Sequence, residues 1–118
     1  MSNALDMVRA AVLELPETDE KLSHGQPTFF VAGKQFAQFR DNHHGDGRTV
    51  VCVKTSGLDE QAMLLEADPE TYSKPAYLPS WISIDLAGES ADWDHVADRI
   101  AASWELAAPR RLLEAGGR

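Results

Sequence analysis

A chain of 118 residues, 43% hydrophobic and 25% charged, is long enough for one buried core and too short for two. Its formal net charge of −8 works against long-range attraction to phosphate backbones and anionic membranes, so any anion-binding face has to be local. Cys52 is the one cysteine, which excludes an intramolecular disulfide, and no apolar run approaches the roughly 18 residues of a membrane span.

Leu5, Val8, Val12 and Leu15 recur at helical spacing, which predicts a first amphipathic helix capped by Ser2 or Asn3 and stopped by Pro16. Asp6, Arg9 and Glu14 interrupt its apolar pattern; that argues against a signal-peptide core and points to the cytoplasm. From Glu17 to Lys54 the pattern changes to strands. Residues 28–32 and 35–40 are β-rich runs joined through Gly33-Lys34, a two-residue link suited to a tight hairpin, and Gly25-Gln26-Pro27 reads as a turn. Simple alternation puts Phe36 and Ala37 on opposite faces, so Phe30, Phe36 and Phe39 do not all share one side. A polar, glycine-rich loop over 41–47 leads to a further strand over 48–54, where Cys52 reads as a small hydrophobe.

Ser56 is expected to cap a second helix over 58–67, which Asp68-Pro69 breaks. Residues 73–80, with Pro75 and Pro79, form an irregular loop; Trp81, Ile82, Ile84 and Leu86 then predict a last strand ending at Gly88. The final helix, 92–107, gathers Trp93, Val96, Ala97, Ile100 and Trp104 on one face, with Asp92 and Asp94 at the end where the helix dipole favours carboxylates. Pro109 interrupts it, and one more turn follows over 110–115. The fold class is α+β: one domain over residues 1–118, an antiparallel sheet packed by helices.

Several short strings then combine: Ser23-His24-Gly25-Gln26-Pro27-Thr28-Phe29, Gly33-Lys34-Gln35-Phe36-Ala37, Asp68-Pro69-Glu70-Thr71-Tyr72, Trp81, and Ser103-Trp104-Glu105-Leu106. In this order, from about Leu15 to Leu113, the chain resembles the MmcQ/YjbR family. The resemblance implies an architecture like that of small secretion chaperones and frataxin-like proteins. It also implies a proposed DNA-binding role for a double wing of β-hairpins, and it brings no catalytic residues. Some members carry Asn-Lys-x-His before the tryptophan, where this chain has Leu78-Pro79-Ser80.

The charge map is uneven. Residues 21–54 hold Lys21, Lys34, Arg40, Arg48 and Lys54 against Asp41 and Asp46, a net +3, while the rest of the chain carries −11. Lys34, Arg40, Arg48, Lys54 and His24 are therefore the candidate anion- or nucleic-acid-binding residues, with strand aromatics to stack on bases. Tyr77 and Trp81 border the irregular loop and are candidates for a pocket. His43, His44 and Asp46 lie together, but adjacent histidines diverge and a zinc site needs three or four fixed ligands; a solvated turn is the reading, with no metal and no cofactor. No nucleophile elbow or phosphate-binding glycine loop appears, and Asp59-Glu60 and Asp92/Asp94 fall at helix starts, so no catalytic residue is assigned. The sequence reading is a non-enzymatic binding domain that takes nucleic acid on a basic hairpin surface. The alternative is a protein partner, chaperone-like adaptor or homodimer, and a small-molecule enzyme ranks third. No membrane partner is expected.

Overall fold

The computed structural model describes residues 4–41, 45, 47–87 and 92–115. The predicted caps Ser2 and Asn3, the His43-His44-Asp46 cluster and the predicted strand end at Gly88 lie outside these residues. In chain order the elements are α1 (Ala4–Leu13), β1 (Thr18–Ser23), β2 (Gln26–Val31), β3 (Lys34–Asp41), β4 (Thr49–Val53), α2 (Leu58–Ala67), β5 (Tyr72–Ser73), β6 (Ile82–Asp85), α3 (Trp93–Ala107) and α4 (Arg110–Glu114). The strands form one sheet of order β1-β2-β3-β4-β6-β5, antiparallel at every junction. The α+β class read from the sequence is what forms.

One face of the sheet is apolar and carries the helices. Phe29, Val31, Phe39, Val51, Val53, Ile82 and Ile84 pack there against Val8 and Val12 of α1 and against Val96, Ile100 and Trp104 of α3. Residues on a strand alternate faces, so the same strands turn Thr28, Gln38, Cys52 and Ser83 to the other side, cross-paired in one row. Phe36 breaks this alternation. The β2–β3 register shifts between Phe29 and Phe30, which pair with Ala37 and Gln35 and leave Phe36 unopposed as a β-bulge. Phe36 and Ala37 consequently both enter the helix-covered core, contrary to simple alternation, while Phe30 stays half-buried on the opposite face. Ser103 of α3, fully buried, donates to the Phe36 carbonyl at 2.5 Å and accepts from the Lys54 backbone N–H at 2.8 Å.

Both hairpins turn on two residues with positive φ, the type I′ pattern that matches strand twist: His24 (52°) with Gly25 (78°), and Ala32 (49°) with Gly33 (85°). The second turn thus lies one residue earlier than Gly33-Lys34. Gln26 and Pro27 belong to β2 rather than to a turn; Pro27 precedes the first β2–β3 pair, a strand-start position that tolerates its missing N–H. An alanine in the left-handed region is strained, whereas asparagine is at home before glycine in such a turn. Ala32→Asn is expected to stabilise the domain by about 0.5–1 kcal/mol, read by chemical denaturation.

α2 does not start on a serine cap. Gly57 holds the N-cap position at φ 153°, a region essentially open only to glycine, and the Glu60 carboxylate reaches back to accept the Ser56 backbone N–H at 2.8 Å. That bond first, and Arg99 at 3.5 Å second, lower the Glu60 pKa from its ordinary 4.5. A lowered pKa favours the folded state above the ordinary value and loses that contribution as pH falls through the folded one. Acid denaturation should therefore cost wild type more stability below pH ~4.5 than it costs Glu60→Gln, and parallel pH–stability curves for the two proteins would contradict the assignment.

Candidate ligand groove on the outer face of the sheet

The face opposite the helices is polar and only partly covered. Residues 74–80 cross it, and Leu78 packs with Trp81 on Val50 and Cys52. Beside that strap lies an open cavity of about 580 Å³, lined by Ser23, His24, Gln26, Gln35, Gln38, Arg40, Tyr77 and Leu78. The first hairpin supplies Ser23, His24 and Gln26, β3 supplies the floor, and the strap supplies the rim.

A directed hydrogen-bond chain fixes the floor. The Thr28 hydroxyl donates to the Gln26 carbonyl at 3.1 Å and so accepts from Gln38 Nε2 at 3.0 Å. This leaves Gln38 Oε1 to accept from Arg40 Nε at 2.8 Å, and Arg40 Nη2 donates to the Ala76 carbonyl of the strap at 3.0 Å. Arg40 is only 6% exposed, yet all its partners are neutral oxygens, with no carboxylate within 4.0 Å among the described residues. Burying an uncompensated charge is costly, so this is an unusual place for a purely structural arginine. Nη1 has no partner among the described residues and is not a sealed-off atom, so it faces accessible space. At the rim Tyr77 is 82% exposed, with φ 64°.

Of the residues singled out from sequence, His24, Arg40 and Tyr77 meet at this cavity. The other four, Lys34, Arg48, Lys54 and Trp81, lie elsewhere. Lys34 pairs with Val31, whose side chain is in the helical core, so Lys34 leaves the sheet on the helix side and does not join this face. Arg48 donates to Ser73 Oγ at 3.1 Å, and Lys54 sits over the Trp81 ring at 5.7 Å, both toward the β4–β6 side of the strap. Trp81 is 7% exposed and packs beneath the strap instead of lining the cavity. Lys21 lies over Phe30 at 5.3 Å and 3.8 Å from Asp19. The cations of the basic segment are therefore spread along the molecule, with one of them, Arg40, built into a cavity.

Sequence reasoning missed Gln26, Gln35 and Gln38. Gln26 and Gln38 alternate with Phe29, Ala37 and Phe39, but Gln35 shares their parity and reaches the outer face only because of the bulge at Phe36, and nothing local showed that a strap at residues 74–80 would enclose them. Among the described residues no group of three or more His, Cys, Asp or Glu side chains is placed to hold a metal ion. Nor is any helix there long and apolar enough to cross a membrane.

The comparisons with known proteins agree with this architecture. The YjbR family model matches residues 13–106. A search of curated proteins gives no match. Among solved structures, the crystal structure of Deinococcus radiodurans protein DR2400, a DUF419 domain, superposes with a TM-score of 0.72 at 18% identity, covering 86% of this chain and 76% of that one. At that identity the likeness is one of fold. The family match spans both hairpins, the cavity floor, the strap and most of α3: the chain belongs to the YjbR family.

Proposed function

We propose that this YjbR-family chain is a non-enzymatic binding domain that takes a short single-stranded nucleic-acid segment along the outer-face groove, with a phosphate on Arg40. The observation that carries this reading is the buried, charge-uncompensated Arg40, oriented by Gln38 and Ala76 on the floor of an open cavity. A guanidinium pre-set in this way offers charge-assisted donors to a phosphate oxygen with little ordering cost. His24 stands at the same cavity, and Tyr77 at its rim offers a ring for base stacking. A single strand fits better than a duplex, because stacking and edge contacts need unpaired bases.

The net charge of −8 limits how much nonspecific attraction can help, so binding rests on few phosphate contacts. The test is fluorescence anisotropy of a labelled single strand at several salt concentrations. With one or two phosphates engaged, the logarithm of affinity should fall with the logarithm of salt at a slope of about −0.7 to −1.4. No binding of a single strand at low salt would remove the reading.

A further inference from the structure

Gln26 and Gln35 both line the groove and both are half-buried, yet neither side-chain amide has a hydrogen-bond partner among the described residues. Gln38, between them, is different: its Nε2 donates to Thr28 and its Oε1 accepts from Arg40. Both amides keep contact with the open cavity and are not tied up by the protein, so each offers an incoming ligand a donor and an acceptor. They mark opposite ends of it. Gln26 sits beside the His24-Gly25 turn, whereas Gln35 pairs with Phe30 and is five residues from Arg40, roughly 16 Å along the strand. The groove is therefore long enough for more than one nucleotide.

The chemistry of the amide narrows what that ligand is. A phosphate offers acceptors only and would use half of each amide. An unpaired base presents a donor beside an acceptor, which a glutamine side chain matches with two bonds. Building on the nucleic-acid reading above, we infer that Gln26 and Gln35 each take the edge of one unpaired base, so that the groove reads base identity as well as backbone. Adenine shows a donor next to an acceptor on its Watson–Crick edge and again on its Hoogsteen edge. Cytosine shows that pattern on one edge alone and is the smaller ring to stack on Tyr77. Thymine and guanine also set a donor beside an acceptor, so the preference drawn from these edges is for adenine over cytosine.

The experiment compares three labelled single strands of equal length by anisotropy: oligodeoxyadenylate, oligodeoxycytidylate, and an abasic sugar-phosphate strand. Wild type should bind the adenylate about tenfold tighter than the cytidylate, and the abasic strand weakest. Gln35→Leu and Gln26→Leu, both at half-exposed positions, should each shrink the adenylate-to-abasic ratio by about tenfold and leave the salt dependence unchanged. Equal affinity for all three strands, or glutamine variants that keep the wild-type ratios, would overturn the inference while leaving the Arg40–phosphate reading standing. Failure of every strand to bind would overturn both.

Discussion

Ser103→Ala should destabilise the domain by about 3 kcal/mol and lower Tm by roughly 10 °C. Ser103 is fully buried, and its hydroxyl serves two backbone groups at once, the Phe36 carbonyl and the Lys54 N–H, which sit one step beyond Ala37↔Val53, the last pair of the β3–β4 ladder. Alanine takes away one oxygen and strands a buried acceptor and a buried donor, each costing about 1–3 kcal/mol. The bulge also turns Phe36 and Ala37 together into the core, so α3 fastens the sheet beside its β2–β3 register shift. Thermal unfolding followed by circular dichroism reads the effect. A loss below about 1 kcal/mol would mean that water or a local shift satisfies the two groups instead.

Arg40→Met is expected to separate binding from folding. Methionine keeps much of the apolar stem, and although Gln38 Oε1 and the Ala76 carbonyl lose a donor, an uncompensated buried charge disappears with it. The two effects oppose each other, so Tm should move little. Affinity for a single strand should fall about thirtyfold, the worth of a charge-assisted phosphate contact. Lys34→Glu is the contrast: it also removes a cation from the hairpin segment, but on the helix side of the sheet, and should change affinity no more than about twofold. If Lys34→Glu weakens binding as much as Arg40→Met, the nucleic acid lies on the hairpin tip and not in the groove.

The fold was largely legible because its apolar positions keep a clear period. The α3 face of Val96, Ile100 and Trp104, the strand run from Val50 to Val53, and Ile82 with Ile84 each match the element they form. β1 was harder to read: Thr18–Ser23 is an edge strand with Leu22 as its single apolar residue, and its pairing to β2 is set by the His24-Gly25 turn. The bulge at Phe36 was hidden for a related reason, since a register shift belongs to two strands and cannot be seen in one. The site was legible in some of its members, not in Gln26, Gln35 or Gln38, and not in its assembly. His24, Arg40 and Tyr77 stood out by type, but their convergence depends on where residues 74–80 cross the sheet, and Lys34 left the group because the turn sits one residue earlier than Gly33-Lys34.

Titration of a short oligodeoxyadenylate into the isotope-labelled protein, followed by NMR, asks directly where the ligand sits. Binding in the groove should move the backbone amides of residues 23–26, 35–40 and 76–78 together and saturably, while those of α2 and α4 stay still. Shifts confined to the helices or to the Ala32-Gly33 turn, or no shifts at all, would contradict it.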